Sequence, residues 1–161
     1  MERSIRPAVP ADADAWAALR SRLWPDADPA SLLAETRAFL AGDDVDVLAA
    51  AFLATGASGP IGFVELSIRP FADGCASRPV PHVEGWFVEE PARGRGIGRA
   101  LMTSAEAWAR ARGFTELASD AELDNEGSLR AHTGCGFVET ERLVKFRKAL
   151  DDRVRTQGEP R

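Results

Sequence analysis

The apolar residues of this chain fall into short runs whose period changes repeatedly between that of a strand and that of a helix. RSIRPAV (Arg3 to Val9) reads as a first strand. Asp12 is placed to cap a helix in which Trp16, Leu19 and Leu23 recur at helical spacing. Pro25 and Pro29 interrupt the chain, and Ala30 to Leu40 predicts a second helix that stops at Gly42. VDVLAAAFLA and IGFVELSIR flank the turn-rich TGASGP, the pattern of a hairpin of buried strands. The stretch from Pro70 to Pro81 reads as a loop from its Pro, Gly and Asp content, and Val83 to Val88 as the next strand. Ile97, Leu101, Ala105 and Trp108 mark one face of a helix ending at Gly113. TELAS predicts a short strand, and a helix from about Ser128 ends near Gly134 or Gly136. VETERLVKFRKAL predicts a final strand or hairpin. The resulting order, β-α-α-β-β-β-α-β-α-β, predicts one α/β domain over residues 1–150 with a mixed central sheet. Residues 151–161 form a polar tail.

Composition narrows the class without naming an activity. The 161 residues suit a single core, and 45% apolar with 28% charged content is that of a globular protein. A formal net charge of −5 argues against nucleic acid and anionic membranes as partners and suits a cationic small molecule. Residues 1–20 lack the apolar segment of a secretory leader, and the longest apolar stretch, Val47 to Ala54, is too short to span a bilayer. A cytoplasmic protein with reduced thiols is expected. Cys75 and Cys135 form no CxxC pair, and with only His82 and His132 no metal-ligand cluster is expected.

Chemistry enters between the strand at Val83 and the helix at Ile97. Gly94, Gly96 and Gly98 alternate there with Arg93, Arg95 and Arg99. A helix N-terminus carries unpaired N–H groups and partial positive charge, glycine lets a ligand approach the backbone, and arginine offers forked donors. The combination suits a phosphate-bearing ligand. It is no P-loop, since no Gly-Lys-Ser/Thr follows, and it fails the dinucleotide fingerprint, because Arg99 or Leu101 stands where the third glycine belongs. The remaining alternative is a basic turn without a ligand.

Arg93-Gly94-Arg95-Gly96-Ile97-Gly98 resembles the acetyl-CoA pyrophosphate loop of the GCN5-related N-acetyltransferases (GNAT). Asn125, Ser128 and HTGCGF, ending in Gly136-Phe137, resemble the block around that family's last helix. LWPD, IGFVELSIR, DGC, VEGWFV, LASD and GFVETERLVKFRK together are similar to the aminoglycoside 6′-N-acetyltransferases and lie along nearly the whole chain. The resemblance implies a GNAT-like sheet with helices on both faces, splayed at the acetyl-CoA site. It implies acetyl transfer from acetyl-CoA to the 6′-amine of an aminoglycoside, no metal, and a homodimer. Acetylation of another amine, or acyl-CoA binding without turnover, are the competing readings.

The site residues follow from the same resemblance. Arg93 to Arg99 and Asn125 would hold acetyl-CoA, and the backbone near Phe87 and Val88 would polarise its carbonyl. Glu84, an acid in an apolar strand beside Gly85, would face the amine directly or through water; alternatively it is a solvated strand residue. Asp120, at the end of a strand in an acidic run from Glu116 to Glu126, would bind the cationic sugar; alternatively it belongs to a solvated loop. His132 stands where many relatives carry a tyrosine that protonates the leaving thiolate, and is equally a packing histidine. Trp24 would line the sugar site or anchor the core, and Asn125 would also serve as a helix cap.

Overall fold

The computed structural model describes residues 4–43 and 48–150. The expected positions Arg3, Val45 to Val47 and the tail 151–161 lie outside the described residues. The strands are β1 (Ser4–Pro7), β2 (Ala50–Gly56), β3 (Gly59–Arg69), β4 (Val80–Val88) and β5 (Ala118–Ser119). They form one five-stranded sheet in sequence order. The first four are antiparallel, and β5 joins β4 in parallel. The helices are α1 (Ala13–Leu23), α2 (Pro29–Ala41), α3 (Ile97–Ala111) and α4 (Glu126–Gly134).

Alternation along β2 and β3 sends side chains to two separate cores. Ala50, Ala54, Val64 and Leu66, with Val83 of β4, meet Ile97, Leu101, Met102 and Ala105 of α3 on one face. Ala51, Leu53 and Phe63 meet Trp16 and Leu19 of α1 on the other, with Phe39 and Leu40 of α2 packed against them. Helices thus cover both faces, as expected. The hairpin, the breaks at the prolines and the stop of α2 at Gly42 also match; Gly42 takes the left-handed conformation (φ 75°) that closes a helix.

Two expectations need correction. The Asp12 carboxylate does not cap α1: it accepts from Arg6 at 2.6 and 2.8 Å and from the Val9 N–H at 2.9 Å, fastening the turn that precedes the helix. The segment after Gly136 forms no strand or hairpin among the described residues. β5 is too short to offer it a ladder, and Val138, Leu143, Val144, Phe146 and Leu150 are left exposed.

Two irregularities shape the functional end of the sheet. The β3–β4 register shifts between Glu65, opposite Gly85, and Leu66, opposite Val83. Glu84 is the extra residue of that bulge. Next to it, β4 and β5 pair only through His82–Ala118 and Val83–Ser119. From Glu84 to Val88, β4 has no partner on that side among the described residues, which is the expected splay.

Candidate active site

Glu84 sits where the two strands part, on the face that carries α1. Its carboxylate accepts from Ser67 Oγ (2.5 Å) and from both Arg69 Nε (2.8 Å) and Nη2 (2.7 Å). Partial burial pushes the carboxyl up, but His82, Arg69 and Ser67 together hold it well below the usual carboxylate range. Glu84 is therefore a fixed anion, three-quarters buried and oriented by three residues.

Trp24 is brought to the same place. Helix α1 is tied to the sheet by a buried ion pair, with Arg20 Nε 3.1 Å from Glu65 Oε2. Arg20 also donates to the Leu32 carbonyl and to Thr36, and its guanidinium lies over the Trp16 and Trp24 rings at 5.9 and 5.4 Å. Burial raises the Glu65 carboxyl to about 7 despite the nearby Arg20. The Trp24 ring ends up against Gly85, the residue after Glu84. Trp24 thus anchors the core around Phe63, one of its two expected purposes, and its ring lies over Gly85, the neighbour of Glu84.

On the other side of the bulge lies the glycine–arginine turn. Gly94 and Gly96 are left-handed (φ 72° and 78°), and a Cβ on either would meet no protein atom within 4 Å. Gly96 is the N-cap of α3, so the first N–H groups of the helix open onto that space. Gly98 is held from beneath, its carbonyl accepting from Trp86 Nε1 at 3.1 Å. Arg93 folds back, donating Nε to the Val88 carbonyl at 2.8 Å with its guanidinium 5.7 Å from the Phe87 ring. It clasps the turn to the strand whose unpaired stretch contains Phe87 and Val88. Arg99 approaches the end of α4 near Gly134. Open space at the glycines, a free helix N-terminus and an adjacent unpaired strand edge fit the pyrophosphate and extended arm of a coenzyme A thioester.

Helix α4 closes this end of the molecule. Asn125 caps it, its side-chain oxygen accepting from the Ser128 N–H at 3.0 Å. His132 Nδ1 is 2.8 Å from the Ser128 carbonyl, which can only accept, so Nδ1 carries a proton. Nε2 is 2.8 Å from Ser119 Oγ. The ring also meets Trp86 and Phe137 edge-on. The acidic run divides by role: Glu116 accepts from the Ala76 and Ser77 N–H groups and Glu126 pairs with Arg130, whereas Asp120 faces His82 at 3.5 Å.

Sequence reasoning missed Ser67, Arg69 and His82, which orient Glu84, and the Arg20–Glu65 pair, which positions Trp24. An arginine two residues beyond a serine on the neighbouring strand gives no signal until the β3–β4 register is known. His82, buried two residues before Glu84, was the readable clue. No group of His, Cys, Asp or Glu among the described residues could hold a metal ion.

An unpaired strand edge that leads to a glycine-rich helix N-terminus, with an oriented acid at the start of that edge, suits an acyltransferase that takes an acyl-CoA. The GNAT acetyltransferase family model matches residues 13–137, and the chain belongs to that family. Two similar proteins are named aminoglycoside N(6′)-acetyltransferase type 1. The one from Stenotrophomonas maltophilia is 45% identical over 92% of this chain and 94% of its own length. The one from Klebsiella aerogenes is 44% identical over 91% and 96%. Among solved structures, AAC(6′)-Iy in complex with the bisubstrate analogue CoA-S-monomethyl-acetylneamine superposes with a TM-score of 0.84 at 34% identity, covering 93% of this chain and all of that one. The aminoglycoside 6′-N-acetyltransferase AAC(6′)-Ih from Acinetobacter baumannii gives 0.81 at 36% identity over 93% of this chain.

Proposed function

We propose that this chain transfers the acetyl group of acetyl-CoA to the 6′-amine of aminoglycosides. The observation that carries the reading is the position of Glu84. It lies in the bulge where β4 leaves β5, beside Gly85 under the Trp24 ring, and four residues before Val88, onto which Arg93 of the glycine–arginine turn folds. One anion thereby stands at the junction of an acyl-CoA slot and an aromatic-walled recess suited to a cationic sugar.

Acetyl-CoA supplies the activated acetyl group. The α3 N-terminus, with Gly94, Arg95, Gly96, Ile97, Gly98 and Arg99, holds its pyrophosphate, and Arg93 keeps the turn closed on β4. The unpaired edge at Phe87 and Val88 receives the thioester arm and offers N–H donors where negative charge develops. The carboxamide of Asn125 reaches the same arm with the hydrogens that capping leaves unused. Glu84 attracts the ammonium, orients it and draws its proton away directly or through a water. Asp120 adds attraction for a polycation. His132 is linked to Ser119 through Nε2; with a proton on that nitrogen as well as on Nδ1, Nε2–H gives its proton to Ser119 Oγ while the Ser119 hydroxyl proton passes to the departing thiolate.

The enzyme works in the cytoplasm, where acetyl-CoA is at hand, and as a homodimer, a state supported by the exposed apolar residues between Val138 and Leu150. No helix among the described residues is long and apolar enough to cross a membrane.

Thiol release from acetyl-CoA tests the reading with two matched sugars, neomycin with a 6′-amine and paromomycin with a 6′-hydroxyl. Rapid release with neomycin and little with paromomycin is expected. Equal release would move the acetylated amine elsewhere, and no release with either would favour a non-catalytic acyl-CoA binder.

A further inference from the structure

Besides helping to hold Glu84, His82 touches both candidate acids. Its ring is buried, with a side-chain exposure of 4%. On β4 it lies opposite Ser67 of β3. Nδ1 stands 3.3 Å from Glu84 Oε1 and Nε2 3.5 Å from Asp120 Oδ2. Nδ1 makes no well-aligned hydrogen bond to any atom of the described residues, although it is fully enclosed. Asp120, with 72% of its side chain exposed, is free to close on the N–H of Nε2. An acid holding the proton of one imidazole nitrogen leaves the other as an acceptor, here aimed at Glu84.

The surroundings favour a proton coming to rest on this ring. Burial lowers the affinity of the imidazole for a proton, and Asp120 and Glu84 more than restore it. Arg69 of β3 opposes them, and Lys145 acts on Asp120. Glu84, held by Ser67, Arg69 and His82, is by contrast a poor final home for a proton. Of the groups lining this end of the site, His82 is the stronger base.

We propose that His82 is a relay residue behind Glu84, receiving on Nδ1 the proton that the substrate ammonium gives up. An ammonium N–H bond breaks, and its electron pair stays on nitrogen as the nucleophile. The proton passes by the Glu84 carboxylate, or a water on it, and a bond to Nδ1 forms. Asp120 stabilises the resulting imidazolium through the N–H of Nε2. After the product leaves, the imidazolium returns the proton to water and the ring is reset. This inference rests on the reading of Glu84 as the group that faces the amine.

The chain has two histidines, so the His82 ring can be followed by nitrogen NMR. Its titration is compared with the pH dependence of kcat for acetylation of neomycin. The acid limb of kcat is expected to coincide with the His82 midpoint. Asp120→Asn, at an exposed position, is expected to lower both by the same amount. His82→Gln is expected to reduce kcat by about 10- to 100-fold, remove that limb and leave KM for acetyl-CoA unchanged. An acid limb that stays in place in His82→Gln, or that fails to follow the ring midpoint in Asp120→Asn, would overturn the relay. If His82→Gln does not fold, Asp120→Asn and the wild type decide. Glu84→Gln separates the two levels: unchanged kcat there removes the site reading, whereas impaired Glu84→Gln beside a wild-type profile in His82→Gln removes the relay alone.

Discussion

The Trp24 ring occupies the space above Gly85 so fully that a Cβ added to that glycine would lie 2.8 Å from Trp24 Cη2. The same atom would stand 2.9 Å from Phe63 and 3.1 Å from the Glu65 side chain. A side chain at position 85 must therefore displace the aromatic wall. Gly85→Ala is expected to raise KM for the aminoglycoside by about tenfold, the equivalent of about 1.4 kcal/mol, with acetyl-CoA affinity unchanged. Steady-state kinetics with each substrate varied in turn checks this.

Gly96 permits a cleaner separation of binding from folding. Its left-handed backbone makes any side chain cost about 1 kcal/mol, but the Cβ itself meets no protein atom. Gly96→Val is expected to lower the melting temperature by a few degrees while reducing acetyl-CoA affinity by at least about 100-fold through steric exclusion of the pyrophosphate. Calorimetric titration beside a thermal melt distinguishes the two. Unchanged affinity would remove the loop from the cofactor site.

The oriented carboxylate of Glu84 has a signature in stability. Its folded-state pKa lies below the unfolded value, so its contribution is complete above that unfolded value and is lost as pH falls towards the folded one. Wild type is expected to lose about 1–2 kcal/mol from this source below about pH 4.5. Glu84→Gln lacks that part of the acid limb. Urea unfolding at a series of pH values from neutral downward measures it. An identical acid limb in the variant would mean that the Arg69 and Ser67 contacts do not persist in solution.

The Arg20–Glu65 pair is expected to behave as a unit. Arg20→Met alone leaves a carboxyl at 1% exposure without its cation, and Glu65→Leu alone leaves the Arg20 guanidinium, at 4% exposure, with only the half-exposed Glu35 as an acid partner. Each single change is expected to cost about 3–5 kcal/mol, and the double variant distinctly less than their sum. A double-mutant cycle by chemical denaturation gives the coupling directly.

The exposed apolar residues after Gly136 carry the prediction for assembly. Val144 and Phe146 are 73% and 93% exposed in the single chain. The pair Val144→Glu and Phe146→Glu is expected to convert a dimer to a monomer, read by sedimentation, without destabilising the core. A wild-type chain that sediments as a monomer at all concentrations would remove the dimer.

Most of the frame was legible because its signals are local. Helix spacing from Trp16 to Leu23, the prolines at 25 and 29, the turn at TGASGP and the glycine–arginine turn each act within a few residues. What escaped depends on register or on distant partners. Asp12 has the composition of a cap, but Arg6 across the turn outcompetes the helix N–H groups for its carboxylate. The alternation after Gly136 is strand-like, but a strand needs an edge, and β5 offers only Ala118 and Ser119. Glu84 was readable as a lone acid in an apolar run; that Ser67 and Arg69 orient it depends on a bulge that no short pattern reveals.

The brevity of the β4–β5 pairing has a consequence for how this protein can change. Two residue pairs join the strands, and beyond them the sheet is left incomplete. Substitutions that lengthened the ladder would satisfy more backbone groups and make the molecule harder to melt, yet each added rung would fill the opening proposed for the thioester arm. On that proposal, thermal robustness and turnover are set against each other along one strand edge.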